Sequence, residues 1–291
     1  MLAPALPETP NPASGPDGST LQRARGVAHV GFAVCDGKTR LADLYQSGSA
    51  KVRLPRGSGE RQAVLLNTAG GVAGGDELDY SASWGAGAKA TVTSQAAERV
   101  YRSLGAAGRV MNRLEVGEGA QASWLPQETI VFDGANLQRR LEVDLAVGAR
   151  LCAVEAVVLG RAAMGETVRR LHFRDHWRIR RDGRLVYADD VRLVGDPEVI
   201  LAGPATGDGA RTFATILDVA EGIEGDIERA RDLLEAARTH PRAEGLSCGV
   251  SAWNGVLVVR LLSRDARALR ETIMKFLQGW RGEDLPRVWS C

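Results

Sequence analysis

Three segments of this chain open on Gly-Ala at near-constant spacing: Gly87-Ala-Lys-Ala-Thr-Val-Thr-Ser-Gln, Gly119-Ala-Gln-Ala-Ser-Trp-Leu-Pro-Gln and Gly148-Ala-Arg-Leu-Cys-Ala-Val-Glu-Ala. Their starts lie 32 and 29 residues apart, and each follows a strand-like run. Glycine supplies the left-handed backbone that a tight corner needs. Near-regular spacing of that size is what stacked β-coils or repeated β-meanders produce. Turn chemistry recurring by convergence gives the same pattern without a repeat. The expected fold class is mainly β, a stacked, β-helix-like body rather than a flat sandwich. A later Gly209-Ala-Arg-Thr-Phe is a displaced candidate for a fourth corner.

The rest of the composition agrees. Glycine accounts for 34 of 291 residues, about 12% against the usual ~7%. Hydrophobic residues at 44% and charged ones at 25% describe a globular chain long enough to bury a core without metal or disulfide staples. Lys+Arg 37 against Asp+Glu 36 leaves no global field to draw in nucleic acid or membrane. Cys35, Cys152, Cys248 and Cys291 form no CxxC pair, which fits a reducing, cytoplasmic compartment. Neither a signal peptide nor a membrane-spanning apolar run is expected.

Three regions follow. Residues 1–20 hold five prolines and little to bury, and are expected to form a disordered tail. Residues 21–220 alternate like strands, with Asp182-Gly183 marking a hairpin. Residues 221–291 are expected to form an α+β part packed on that body. It holds two helices, over 226–238 and 265–280, the second capped by Ser263, and a hairpin about Asn254-Gly255.

Most catalytic signatures are missing: there is no GxxxxGK[ST] and no HExxH. The glycine-rich Ala69-Gly-Gly-Val-Ala-Gly-Gly-Asp76 lacks the following helix that a phosphate site needs, and is expected to be a structural turn or a partner-facing loop. His172 and His176 are four residues apart; on a helix they could chelate a metal, whereas on a strand they stand ~13 Å apart. The arginine-rich run around them reads as a solvated ribbon, with an anion- or partner-docking face as the alternative. Carboxylates in apolar surroundings say more. Glu155 sits within Leu151-Cys-Ala-Val-Glu-Ala-Val-Val-Leu159, Glu98 within Ala96-Ala-Glu-Arg-Val-Tyr101, Asp189 follows Leu-Val-Tyr-Ala188, and Asp76 closes the glycine turn. Glu98, Glu128 and Glu155 fall 11, 9 and 7 residues after their glycines, odd offsets that unbroken strands would turn to one face. Buried acids must be ion-paired, hydrogen-bonded or facing water. Arginine pairing is one reading of each; a water-filled, carboxylate-lined passage is the other.

Gly70-Gly-Val-Ala-Gly-Gly-Asp76, Glu98-Arg-Val-Tyr-Arg-Ser103, Trp124-Leu-Pro-Gln-Glu-Thr-Ile-Val-Phe-Asp-Gly134, Leu159-Gly-Arg-Ala-Ala-Met-Gly-Glu166 and Leu285-Pro-Arg-Val-Trp289 occur in that order. Together they resemble the urease accessory protein UreD (UreH) family over about residues 25–291. The resemblance implies a non-catalytic chaperone of metallocentre assembly in the cytoplasm. Its implied partners are UreF, the GTPase UreG through UreF, and apo-urease. It also implies nickel insertion, with no tightly bound cofactor and Ni²⁺ in transit through an internal passage. Carboxylates suit such a passage, since they attract a divalent cation yet hold it less tightly than a Cys/His cage. Asp76, Glu98, Glu155 and Asp189 are the candidate lining residues.

Two other readings stay open. One is a pure scaffold that never touches nickel; the other is a small-molecule hydrolase with Glu155 and Asp189 as acid and base. An adaptor should also leave apolar residues uncovered on the C-terminal helices or the strands beside them.

Overall fold

The computed structural model describes residues 22–56, 60–161 and 164–290. The proline-rich tail lies outside them. The chain opens with β1 (Arg25–Cys35), β2 (Lys38–Gly48), β3 (Ala50–Arg53) and β4 (Arg61–Asn67). Coils follow: β5 (Glu77–Trp84), β6 (Lys89–Ser94) and β7 (Glu98–Val100); then β8 (Gly108–Val116), β9 (Gln121–Leu125) and β10 (Thr129–Val131); then β11 (Asn136–Leu145) and β12 (Arg150–Leu159). Successive coils stack in parallel, β5 on β8 on β11 in one sheet and β6 on β9 on β12 in the other. This is the β-solenoid-like stack expected from the glycine spacing.

The corner glycines explain the repeat. Gly87, Gly119 and Gly148 adopt φ of 66°, 61° and 65°, and the alanine after each is buried. Adjacent corners are tied by Gly87 N–H to Glu118 O (2.8 Å) and Gly119 N–H to Val147 O (3.1 Å). Gly209-Ala210 is a different feature. It leads into β15 (Thr212–Val219), which runs antiparallel to β12 and so starts no further coil.

After the coils come β13 (Leu171–Arg181) and β14 (Arg184–Gly195), joined as a hairpin at Asp182-Gly183. A single turn, α1 (Pro197–Ile200), capped by Asp196, was not legible beforehand. β14-β13-β11-β8-β5-β1-β2 form the first sheet. In the second, β16 (Ser247–Trp253) and β17 (Val256–Ser263) extend β15-β12-β9-β6-β4-β3, with β7 and β10 alongside β12.

Two helices cover the second sheet's outer face: α2 (Ile227–Ala237) and α3 (Ala266–Arg281). The cap of α3 is Asp265, which accepts from Arg267 N–H; Ser263 still belongs to β17, and its hydroxyl only accepts from Asp265 N–H (3.0 Å). β12 is buried on both faces: Leu151, Ala153, Val157 and Leu159 enter the core between the sheets, while Cys152, Val154 and Ala156 meet the helices. The helices' large apolar residues are buried or, at Ile227, Leu233 and Met274, half-buried, so neither helix presents an uncovered face. Exposed ones lie at Leu41, Leu44 and Tyr45 on edge strand β2, at Leu104, Met164 and Val199, and at Trp253 on β16 beside the helices.

Candidate functional site: an internal cavity closed by a buried ion triad

Alternation places one charge on the inner row of each of three strands. On β11 that row reads Leu137, Arg139, Leu141, Val143; on β12, Ala153, Glu155, Val157; on β13, Phe173, Asp175, Trp177. Each charge breaks an otherwise apolar file aimed between the sheets, and the three meet there. Arg139 and Asp175 face each other in register. The guanidinium donates to Asp175 through Nε (3.0 Å to Oδ1) and Nη2 (2.7 Å to Oδ2), and through Nη1 to Thr129 Oγ1 (2.9 Å). Nη1 also pairs with Glu155. Indole N–H groups complete the shell: Trp124 donates to Glu155 and Trp177 to Asp175, both at 3.2 Å. Desolvation pushes the Glu155 carboxyl up; Arg139 opposes it, and the charge of Asp175 adds to it. Arg139 itself is held in its charged form by the two carboxylates.

A cavity of about 280 Å³ lies on one side of this triad. Its walls are mostly apolar, with Leu65, Val100 and Leu137 among them, and Glu155 and Arg139 form part of its polar lining. The rim carries exposed Gln95, Ala96 and Arg99. Glu98 stands in the wall near that rim, accepting from Asn67 Nδ2 (3.3 Å); burial pushes its carboxyl up to about 7, against the pull of that hydrogen bond. Tyr80 shares the wall, and burial with the charge of Glu98 raises its hydroxyl pKa. Beyond the triad is a second cavity of about 10 Å³, room for roughly one water. Arg139, Glu155, Asp175, Trp177, Asp189 and Thr215 line it.

The expected residues therefore separate. Glu98 and Glu155 share the larger cavity, and Glu155 and Asp189 share the smaller. Asp189 also accepts from Tyr187 Oη (3.0 Å) and Arg260 Nη2 (2.8 Å). Asp76 lines neither cavity: its carboxylate accepts Ala24 N–H (2.8 Å) and Ala73 N–H (2.7 Å) and so fastens the glycine turn. The odd-offset argument fails for Glu128, which turns to Arg270 of α3 (2.6 Å). β7 and β10 pair Glu98 with Thr129 and Thr129 with Val157, so the register has slipped past Glu155. Arg139 and Asp175 were missed, although a lone charge inside an alternating apolar file was the signal that would have found them. His172 and His176 both lie on the outer face of β13, where His176 Nδ1 lies 3.5 Å from Asp190. Among the described residues no group of three His, Cys, Asp or Glu side chains is placed to hold a metal ion, and no helix is long and apolar enough to cross a membrane.

Stacked parallel coils around a carboxylate-bearing cavity, with a buried ion triad in its wall, define a β-solenoid-like protein. Comparison with known proteins makes that class specific. The sequence model of the family described as UreD urease accessory protein matches residues 24–290. The chain is 47% identical over 291 residues to urease accessory protein UreD 2 of Methylorubrum populi, covering 98% of this chain and 95% of that one. It is 45% identical over 284 residues to UreD of Xanthobacter autotrophicus (98% and 96%), and 49% over 261 residues to UreD 1 of Methylobacterium radiotolerans (90% and 89%). The chain belongs to the UreD family of urease accessory proteins, and its role is in urease maturation.

Proposed function

We propose that this chain is a non-catalytic adaptor of urease maturation in the cytoplasm. It binds apo-urease and UreF, engages the GTPase UreG through UreF, and passes Ni²⁺ toward the urease active site through its interior. The observation that carries this reading is the file of carboxylates along the two cavities: Glu98 at the outer wall, Glu155 and Asp175 at the constriction, Asp189 on the far side. Such a path offers oxygen ligands one after another, none of them a closed cage, so an ion is drawn in without being trapped. Ni²⁺ is cargo here, and no cofactor stays bound.

The pure scaffold is the second reading, favoured by the Arg139 triad that closes the path midway. Acid–base hydrolysis by Glu155 and Asp189 has little support, because the space they share holds about 10 Å³ and leaves no room for a substrate. Ala97→Trp, a half-buried position in the wall of the larger cavity, separates passage from scaffold. The chain is co-expressed with UreF, UreG and apo-urease, then assayed by pull-down and urease activity. Intact assembly with activation largely lost supports the passage; assembly with wild-type activation supports the scaffold. Absence of both co-purification and chain-dependent activation with the wild-type protein would overturn the maturation reading itself.

A further inference from the structure

Arg139 and Glu155 belong to the walls of both cavities, so the boundary between them is made of side chains. The guanidinium lies across it, 5% exposed, pinned by Asp175 and Glu155 and by Thr129 in the wall of the larger cavity. From this geometry, and resting on the passage reading above, we infer that Arg139 is the gate of the path, released only by a divalent cation that takes its place between Glu155 and Asp175.

The charges make the exchange workable. A fixed guanidinium repels an approaching cation, and in a dry interior that repulsion is hardly screened. Displacing it with nothing in its place would strand two buried carboxylates, which is costly. A cation of charge two neutralises that pair outright, so the two carboxylates are not left bare when the guanidinium moves aside. A monovalent ion only restores the balance the single charge of Arg139 already gives and so gains nothing by displacing it, and an apolar molecule leaves both carboxylates bare. The displaced side chain has somewhere to go, because the larger cavity of about 280 Å³ adjoins it and Thr129 Oγ1 already holds one of its nitrogens on that side. An arginine, with its planar fork, closes on two carboxylates more firmly than a lysine ammonium can.

Two measurements test the gate. In equilibrium dialysis of the full chain against Ni²⁺ alone, folded Arg139→Gln should retain about one further equivalent over wild type, as expected for a vacated carboxylate pair, and Arg139→Gln/Glu155→Gln should lose it. Folded Arg139→Gln retaining no more than wild type overturns the proposal. Should that variant fail to fold, Arg139→Lys decides. Its weaker clamp should lower the nickel concentration that half-saturates urease activation ~3-fold or more, whereas a merely structural loss lowers the activation reached and leaves that concentration in place. An unchanged half-saturation point overturns the gate. Ala97→Trp keeps the two readings apart: wild-type activation in that variant sinks the passage and the gate together. Blocked activation with unaltered nickel dependence in Arg139→Lys sinks the gate alone.

Discussion

Arg139 and Asp175 are direct cross-strand partners on parallel strands, joined by two hydrogen bonds of 3.0 and 2.7 Å, both side chains almost wholly buried. The pair is anchored further by Glu155 on the opposing sheet, so the triad ties the two sheets together across the core.

Truncating one member should be far worse than replacing all three. Asp175→Ala is expected to cost about 3–5 kcal/mol, since it leaves the Nε and Nη2 donors of a buried guanidinium without their partner. The triple variant Arg139→Met, Glu155→Gln, Asp175→Leu should fall within roughly 2 kcal/mol of the parent. Urea unfolding of both measures the difference, and equal losses would contradict it.

Glu98 should make stability fall as pH rises. Its folded pKa, about 7, lies above the ordinary 4.5, so folding penalises the charged form. The penalty is absent below about 4.5, grows through the window up to about 7, and is constant above it. Glu98→Gln is therefore expected to stabilise the chain by roughly 1–3 kcal/mol at alkaline pH, the rim's solvent access trimming the full linkage value, and by almost nothing in acid. Thermal unfolding against pH for both chains gives the answer.

Asp218 should hold α3 to the body. Its buried carboxylate accepts Trp280 Nε1 (2.7 Å) from α3 and Arg150 Nη2 (2.7 Å) from β12. Asp218→Ala leaves the indole N–H unpartnered and is expected to cost about 3 kcal/mol. Hydrogen exchange should accelerate across α3 more than across the coil strands.

Two glycines should respond differently to alanine. At Gly71, φ is 149° and a Cβ would sit 2.3 Å from the Tyr101 ring and 2.7 Å from Arg99 O, so both backbone and space forbid it. At Gly119, φ is 61° with open space around it. Gly119→Ala should cost about 1 kcal/mol, from backbone strain alone, and Gly71→Ala at least twice that. Denaturant midpoints of the two variants provide the comparison.

Cys152 should be inert in the folded protein. Burial pushes its thiol up to about 12, and the charge of Asp218 adds to that. Cys35 is exposed. Maleimide treatment of the native chain followed by peptide mapping should find label at Cys35, with Cys152 modified only after unfolding.

Much of the fold was legible because it rests on local chemistry. Gly87, Gly119 and Gly148 turn the chain at each coil, Asp182-Gly183 and Asn254-Gly255 turn the hairpins, and the apolar stripe of α3 buries Ile273, Phe276 and Leu277. The site was only half legible. Glu155 stood out because apolar neighbours flank it on both sides, whereas Arg139 and Asp175 lie in strands whose outer rows are charged, which hides the inner file. Asp76 looked like a lining acid, yet its oxygens are taken by two backbone N–H groups, and no pattern of side chains foretells a backbone partner.

The sequence by itself determined the periodicities: coil length, corner residues, which rows turn inward, and where helices replace strands. These follow from backbone preference and from the alternation of burial, both local to a few residues. Tertiary structure alone decided which inward charges meet. Arg139, Glu155 and Asp175 come from three strands in two sheets, and a buried charge is tolerated only where another is delivered to it. Register and sheet packing make that delivery, and they set Arg139 between two cavities rather than in either one.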